Sequence, residues 1–205
     1  MNEKLGLDPA FLDKKNPFEL FKLWMQEAEK SEPNDPNAVN VATVDSSGQP
    51  DNRMVLLKGL TENSFIFYTN LESKKSRDLR NNPKVSMCFH WKSLLRQVRV
   101  QGSAQLVDSK TADEYYNSRP YESRIGAWAS SQSEVMKHRD EFEEKINEFK
   151  KKYPDQNNVP RPTYWSGWAL TPYKIEFWKD VKNRLHQRLC YSRIGQVWSK
   201  EILYP

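Results

Sequence analysis

The sequence predicts a mainly β domain with peripheral helices, either an α+β domain or a β-barrel. Short strand-like runs bounded by turn residues fill much of the chain after residue 37. Helical patterns are grouped at the start and in the middle instead of alternating with strands. No internal repeat or linker divides the 205 residues, and a chain of this length can bury one substantial core.

The N-terminal part predicts a tail followed by one helix. Residues 1–15 are polar and charged, so we expect a mobile N-terminal tail there and a single domain over residues 16–205. Asn16 suits a helix cap and Pro17 a first helical residue. Five apolar residues recur at helical spacing and predict one core-facing stripe: Phe18, Phe21, Trp24, Met25 and Ala28. Two prolines within residues 31–37 end this helix.

Five strands and a short helix are predicted next. Runs rich in β-branched and aromatic residues predict strands over residues 38–44, 52–58, 65–69, 85–91 and 97–107. The segment from Asp45 to Gly48 predicts a hairpin turn between the first two strands. A helix over residues 74–80, with Ser73 as its cap, lies between the third and fourth strands and ends before Pro83.

Helices and then strands complete the chain. The patterns predict helices over residues 110–118, near 124–128 and over 134–153, followed by a proline-rich loop over 155–162. The last helix carries an apolar stripe formed by Val135, Phe142, Ile146, Phe149 and Tyr153. Four closing strands are predicted near residues 167–170, 174–178, 184–191 and 196–203.

The composition limits which cellular compartment and which binding partners we expect. The net charge of +5 suits small anionic ligands such as phosphates. Without a long basic tract, a nucleic-acid-binding module is the weakest alternative, although aromatic residues could stack on bases. The N-terminus has no apolar signal core, and no run approaches the roughly 18 apolar residues of a spanning helix. We therefore expect a cytoplasmic protein with no membrane or nucleic-acid partner, in which Cys88 and Cys190 are free thiols.

Several common catalytic motifs are missing from the sequence. It has no GxGxxG, P-loop, HExxH or GxSxG motif and no cysteine–histidine metal spacing. The three histidines, His90, His138 and His186, are far apart in sequence. A dinucleotide-binding fold, a zinc hydrolase and a serine hydrolase are therefore improbable, and we expect no metal site.

The predicted strand over residues 184–191 has an unusual basic face. Alternation along a strand places Arg184, His186 and Arg188 on one side, spread over about 13 Å. An anion bound on that face would explain the pattern. A solvated basic edge strand, which resists unwanted strand pairing, would explain it equally well.

Two further segments carry cations in strands or at a helix start. Arg53 and Lys58 fall on opposite faces of one predicted strand, which suits two ligand groups approached from different sides or an ordinary amphipathic strand. Residues 68–75 run from a strand end into a helix start, where Lys74 and Lys75 join unpaired N–H groups. That arrangement suits a phosphate, or simply a capped helix with solvated lysines.

A third group combines a phenol, a guanidinium and a hydroxyl. Tyr115 and Arg119 lie four residues apart and share a helix face, and Pro120 then lets Ser123 fold back beside them. Such a set can cradle a phosphate, although a surface Tyr–Arg pair would look the same in sequence.

Taken together, these segments resemble the pyridoxamine 5′-phosphate oxidase family. The similarity spans nearly the whole chain, from Pro17 to Pro205, and the motifs occur in the family's order. They are Arg53-Met54-Val55-Leu56-Leu57-Lys58, Phe67-Tyr68-Thr69-Asn70, Ser73-Lys74-Lys75, Arg96-Gln97-Val98-Arg99-Val100, Ser118-Arg119-Pro120, Ile125-Gly126-Ala127-Trp128, Gln132-Ser133, Glu176-Phe177-Trp178 and Arg184-Leu185-His186.

The resemblance implies a homodimer with an FMN-binding split β-barrel fold and FMN at the dimer interface. The implied FMN contacts are Arg53, Met54, Val55, Leu56, Leu57, Lys58, Tyr68, Thr69, Lys74, Lys75, Gln97, Gln132, Ser133, Trp178 and Arg188. The implied substrate contacts are Lys58, Tyr115, Arg119, Ser123, Arg184 and His186. Arg184 and His186 are also the expected catalytic residues, clamping the substrate ring and, for His186, assisting proton transfer.

The implied reaction oxidises pyridoxamine or pyridoxine 5′-phosphate to pyridoxal 5′-phosphate, with oxygen as acceptor and hydrogen peroxide as product. Two alternatives remain at this point: a binding protein for pyridoxal phosphate or FMN without turnover, and a split-barrel flavin reductase with another substrate. The chain departs from the family pattern at several positions. Lys74 stands where Arg is usual, Gln187 where Asp is usual and Ile202 where Arg is usual.

Overall fold

The fold is one curled antiparallel sheet with helices around it. The computed structural model describes residues 5–205. The helices are α1 (Pro17–Ser31), α2 (Lys74–Asn81), α3 (Ser109–Asn117), α4 (Tyr121–Ala129) and α5 (Asp140–Lys152). The strands are β1 (Ala38–Val44), β2 (Pro50–Leu56), β3 (Gly59–Leu60), β4 (Phe65–Asn70), β5 (Lys84–Trp91), β6 (Arg96–Leu106), β7 (Trp165–Lys179), β8 (Gln187–Ile194) and β9 (Val197–Leu203). The predicted mainly β domain with peripheral helices is confirmed.

The sheet branches at its longest strand, β7. Its order is β2-β1-β5-β6-β7-β4-β3, and β8 and β9 are added on the side of β7 that also pairs with β4. The first part of β7 pairs with β4 and the second part with β8, while β6 runs along the other edge. Because of this branching, the predicted site residues fall in two places: on β2 and β4 on one side, and on β6, β7 and β8 on the other.

A bulge explains why two predicted strands are in fact one. The register between β6 and β7 shifts between Gln101 and Gly102, and Gly102 pairs with Pro172. Proline has no N–H to donate, so it is tolerated where the ladder is interrupted. A Cβ on Gly102 would lie 2.3 Å from the carbonyl oxygen of Thr171, so only glycine fits this crossing.

Helix α1 closes the inner face of the sheet. All five residues of its predicted stripe are buried, and Trp24 packs edge-on against Phe177 of β7 at 5.1 Å between ring centroids. The Asn16 side chain accepts a hydrogen bond from the Phe18 N–H, as a helix cap should. This helix and its start are therefore confirmed.

The expected N-terminal tail is packed onto the domain where the structure describes it. Residues 1–4 lie outside the described residues. In residues 5–15, Phe11 is buried against Trp24 and the indole N–H of Trp24 donates to the Ala10 carbonyl at 2.8 Å. Burial of one aromatic ring outweighs the polar composition that suggested a tail.

Helix α5 is shorter than predicted. It begins at Asp140 instead of residue 134, and Val135 is 97% exposed. Ser133 has a left-handed backbone with φ of 73°, which breaks the helical path before α5. None of the helices in residues 5–205 is both long and apolar enough to cross a membrane.

Candidate active site

One cavity of about 1110 Å³ gathers most of the predicted site residues. Strands β2 and β4, the start of α2 and the α3–α4 corner form its walls. The predicted residues that line it are Arg53, Met54, Val55, Leu56, Lys58, Tyr68, Thr69, Lys74, Lys75, Tyr115, Arg119, Ser123, Gln132 and Ser133. Arg53 and Lys58 therefore line the same cavity. The predicted opposite faces do not apply, because β2 ends at Leu56 and Lys58 lies outside the strand.

Leu57 does not line this cavity. Its side chain is 8% exposed and belongs to the hydrophobic core. Both of its backbone groups are occupied by Asn37: its N–H donates to the Asn37 carbonyl, and its own carbonyl accepts from the Asn37 side chain. Leu57 therefore holds the strand end in place instead of offering a group to a ligand.

Lys75 is a buried cation without an acidic partner among the described residues. Its ammonium donates to Gln132 Oε1 at 2.7 Å, Thr69 Oγ1 at 3.0 Å and Ser73 Oγ at 3.1 Å. Burial, and then the positive charge of Arg53, lower the pKa of Lys75 to about 8. A negative charge in the cavity would offset both effects by favouring the ammonium form, so this position suits an anion.

Arg53 and Lys74, by contrast, are already paired with acids. Arg53 donates to Asp51 Oδ2 at 2.8 Å and to Thr43 Oγ1 at 2.7 Å. Lys74 lies 3.3 Å from the carboxylate of the buried Asp78 and 3.4 Å from that of Asp51. These acids fix the direction of both cations and reduce their net charge. Sequence reasoning missed the acids, although the i,i+4 spacing of Lys74 and Asp78 was available as a signal.

An aromatic stack joins the two predicted ligand groups. The rings of Tyr68 and Tyr115 stack at 3.9 Å, and Tyr68 also stacks on Trp165 at 5.5 Å. The Arg119 guanidinium lies 4.7 Å from the centre of the Trp165 ring. Tyr68, predicted for the cofactor, is therefore in contact with Tyr115, predicted for the substrate, and Trp165 is a supporting residue that sequence reasoning did not assign.

Arg119 is the second cation with unmet hydrogen-bonding capacity. Its Nη1 is buried and has no hydrogen-bond partner within residues 5–205, and its guanidinium forms no ion pair there. Burial lowers the pKa of Arg119, since the charged form is costly away from water. A partly buried guanidinium with a free Nη1 at a cavity wall suits a phosphate or carboxylate.

The remaining predicted residues form a second cluster outside the cavity. Gln97, Trp178 and Arg188 lie side by side in register across β6, β7 and β8. Each is next in sequence to a fully buried core residue, so these side chains lie on the opposite, outer face of the sheet. The His186 ring lies 4.7 Å from the Trp178 ring and belongs to the same cluster.

The predicted strand through Arg184 and His186 is wrong. A turn of 3₁₀ helix covers Lys182–Arg184, and β8 begins only at Gln187. Asn183 and Arg184 have φ angles of 60° and 63°, a left-handed backbone that no strand can contain. Arg184, His186 and Arg188 therefore do not share a strand face; the first two lie on the β7–β8 loop.

The loop orients the imidazole of His186 through Asp180. Its Nδ1 lies 2.8 Å from Asp180 Oδ1, a contact in which the ring N–H donates to the carboxylate. Nε2 is left as the ring nitrogen available to a ligand. Within residues 5–205, no group of three or more histidine, cysteine or acidic side chains has an arrangement that could hold a metal ion.

Comparison with known protein families shows to which family the chain belongs. Residues 25–153 match the family model described as pyridoxamine 5′-phosphate oxidase. Residues 165–205 match the model described as the pyridoxine 5′-phosphate oxidase C-terminal dimerisation region. The chain belongs to the pyridoxamine 5′-phosphate oxidase family. The predicted resemblance is confirmed, and the second cluster lies largely within the dimerisation region of the family.

Curated members of the pyridoxamine 5′-phosphate oxidase family match over the whole chain. The pyridoxine/pyridoxamine 5′-phosphate oxidase of Pelagibacter ubique is 57% identical over 208 residues, covering 100% of both chains. The protein of the same name from Allorhizobium ampelinum is 50% identical and covers 95% of each chain. Members of this family are FMN-dependent oxidoreductases.

Solved structures confirm the split-barrel fold. PhzG from Burkholderia lata, crystallised with tetrahydrophenazine-1-carboxylic acid, superposes with a TM-score of 0.90 at 27% identity, covering 97% of this chain and 98% of PhzG. An FMN-binding, pyridoxamine 5′-phosphate oxidase-related protein from Nostoc punctiforme gives a TM-score of 0.75 at 19% identity, covering 92% of this chain and 98% of its own. The second likeness concerns the fold alone.

Proposed function

We propose that the protein is an FMN-dependent oxidase of pyridoxamine 5′-phosphate and pyridoxine 5′-phosphate. The product is pyridoxal 5′-phosphate, with oxygen as the electron acceptor and hydrogen peroxide as the second product. With the amine substrate, water is also consumed and ammonia is released. The observation that carries this proposal is that Lys75 and Arg119, two cations at least partly buried on one cavity, have no acidic partner among the described residues. FMN and the substrate each bring a phosphate, so the reaction needs two such positions.

In this proposal, Lys75 and the start of α2 hold the FMN phosphate. The helix start offers a favourable dipole, and Arg53 adds a guanidinium already oriented by Asp51. The other cavity-lining residues of the predicted FMN set, from Met54 to Ser133, surround the same space. FMN, when bound, supplies the ring that accepts hydride from the substrate carbon.

The substrate phosphate is assigned to Arg119 with Tyr115, Ser123 and Lys58. All four line the cavity, and Arg119 is held in place by the Trp165 ring. A phosphate against Arg119 would satisfy the buried Nη1 and restore its favourable charge environment. These residues bind and orient the substrate while the aromatic stack excludes water from the phosphate end.

The second cluster is assigned to the same site across a homodimer. Within one chain, Gln97, Trp178, Arg188 and the loop with Arg184 and His186 do not line the cavity. The chain contains the family's dimerisation region, and a two-fold dimer presents each face to the other subunit. We infer that each cavity is completed by the partner's outer face, with FMN at the interface. There Arg184 would position the substrate ring, and His186 Nε2 would hold or move a proton.

Reduction of bound flavin by substrate tests this function. After FMN addition, anaerobic pyridoxamine 5′-phosphate should bleach the flavin absorbance and yield the aldehyde. Pyridoxamine without the phosphate should react at least about a hundredfold less efficiently, since the buried Nη1 of Arg119 would stay without a hydrogen-bond partner. Flavin that binds but is never bleached would instead support a non-catalytic binding protein.

A flavin enzyme with a different substrate is the second candidate. The PhzG structure, whose bound molecule carries a carboxylate and no phosphate by its name, shares the fold at a TM-score of 0.90. The phosphate-binding set around Arg119 favours a phosphorylated substrate here. Equal reaction of phosphorylated and unphosphorylated pyridoxamine would favour this second candidate.

The affinity for FMN should fall as the pH rises above about 8. The pKa of Lys75 is about 8 without a ligand, so its ammonium loses the proton through that pH and no longer attracts phosphate. FMN binding must then restore the proton, and the dissociation constant should rise by up to about tenfold per pH unit. Fluorescence titration of FMN from pH 7 to 9.5 measures this slope.

A Lys75→Met protein is the matched comparison. It should bind FMN more weakly at pH 7 and show a nearly flat dependence over the same range, because the titrating group is gone. Identical slopes in the two proteins would remove Lys75 from the FMN phosphate site.

A further inference from the structure

The β7–β8 loop is held in a backbone conformation that needs support. Lys179, the last residue of β7, and Gln187, the first of β8, pair across the ladder and form the two ends of the loop. Asn183 and Arg184 within the loop are both left-handed without being glycine. Such residues persist only where the surrounding structure holds them.

A single N-terminal residue, Asp8, contacts both ends of this loop. Its carboxylate pairs with the Lys179 ammonium at 2.6 Å, and its backbone N–H donates to Gln187 Oε1 at 2.7 Å. The two contacts span 171 and 179 residues of sequence. Burial raises the pKa of Asp8, but the hydrogen bond and charge of Lys179 outweigh it and leave that pKa below its ordinary value.

Asp8 is itself fixed to the rigid part of the domain. Its Oδ1 accepts from the Ala10 N–H at 2.9 Å, and the next residue, Phe11, is almost completely buried beside Trp24. The segment is anchored again at Lys14, whose carbonyl accepts from the Tyr191 hydroxyl on β8. Asp8 therefore links the loop to the packed core through these contacts.

We propose that Asp8 is a positioning residue for Arg184 and His186, acting by clamping the two ends of the loop that carries them. This rests on the proposed function, in which those two side chains meet the substrate. The clamp uses Gln187, the residue that stands where the family usually has Asp. Loss of the clamp would leave the loop attached but free to shift the guanidinium and the imidazole from their working positions.

Single-turnover flavin reduction by pyridoxamine 5′-phosphate in the FMN-loaded dimer tests the proposal. Asp8→Asn keeps the Ala10 contact but removes the charge that holds Lys179. At saturating substrate, the reduction rate should fall about tenfold, because misplacement of substrate-positioning groups slows the step itself. The FMN dissociation constant should change less than about twofold, since the phosphate position on the cavity wall is elsewhere.

Asp13→Asn is the matched control. Asp13 forms an ion pair from the same segment to Lys200 on β9, away from the loop. Both variants should lower the melting temperature, but only Asp8→Asn should slow flavin reduction. The charge-reversed pair Asp8→Lys with Lys179→Asp should reduce flavin faster than Asp8→Lys alone, because it restores the ion pair although not the Ala10 contact; a general loss of stability would not give this order.

The outcomes separate this inference from the function on which it rests. Wild-type flavin that is not reduced by the amine refutes the proposed function and the clamp together. Normal reduction in the wild type with an unchanged rate in Asp8→Asn refutes the clamp alone. Equal slowing by Asp8→Asn and Asp13→Asn also refutes it, because the effect would then be one of general packing.

Discussion

Replacing Arg184 with Leu should lower turnover of pyridoxamine 5′-phosphate at least about a hundredfold while FMN stays bound. The Arg184 side chain is exposed and forms no hydrogen bond or ion pair within the described part of the chain. It therefore contributes little to folding, and its expected role is to position the substrate ring in the completed site. The measurement is steady-state turnover beside the flavin content of the purified protein.

Lys182 provides the control for Arg184. It is an exposed cation in the same 3₁₀ turn and belongs to no predicted contact set. Lys182→Leu removes the same charge from the same turn and should keep near-wild-type turnover. Wild-type turnover in Arg184→Leu, or an equal loss in both proteins, would exclude a specific role for the guanidinium.

The sequence predicted those parts of the fold that depend on local signals. The α1 stripe and its Asn16 cap follow from residue spacing and from one side-chain hydrogen bond. The hairpin turn from Asp45 to Gly48 also follows, because Gly48 takes a φ of 87° that glycine adopts without strain. Features of this kind need no knowledge of distant parts of the chain.

The errors arose where distant contacts override local patterns. Strand alternation through Arg184 failed because Asn183 and Arg184 have a left-handed backbone that turns the chain out of the strand path. The predicted gap between two strands near Pro172 is a β-bulge within one strand, where Gly102 pairs with Pro172. The N-terminal segment looked like a tail from its polar composition, but Phe11 is buried and Leu5, Leu7 and Ala10 pack against the core.

The candidate site also has features that the sequence predicted and features that it did not. Its residue types were predictable from the motifs, and the cavity gathers most of them. What the motifs did not show is which cations already have acidic partners. Lys75 and Arg119 lack acidic partners among residues 5–205, whereas Arg53 is paired with Asp51. That distinction depends on contacts such as Lys75 to Gln132, across 57 residues of sequence.

In the proposed dimer, each active site is shared between two chains. Arg119 lines the cavity, whereas Arg184 lies on the loop outside it. Homodimers of Arg119→Leu and of Arg184→Leu should each be nearly inactive. In a heterodimer of the two, a two-fold arrangement places both substitutions in one site and leaves the other site intact.

The most direct test is the turnover of that heterodimer, isolated by co-expression with two different affinity tags. It should show about half the wild-type turnover of pyridoxamine 5′-phosphate per dimer, because one of its two symmetric sites is intact. A heterodimer of wild type with the Arg119→Leu/Arg184→Leu double variant should be nearly inactive. If each site lay within one chain, the first heterodimer would be inactive and the second half-active, and that result would contradict the account.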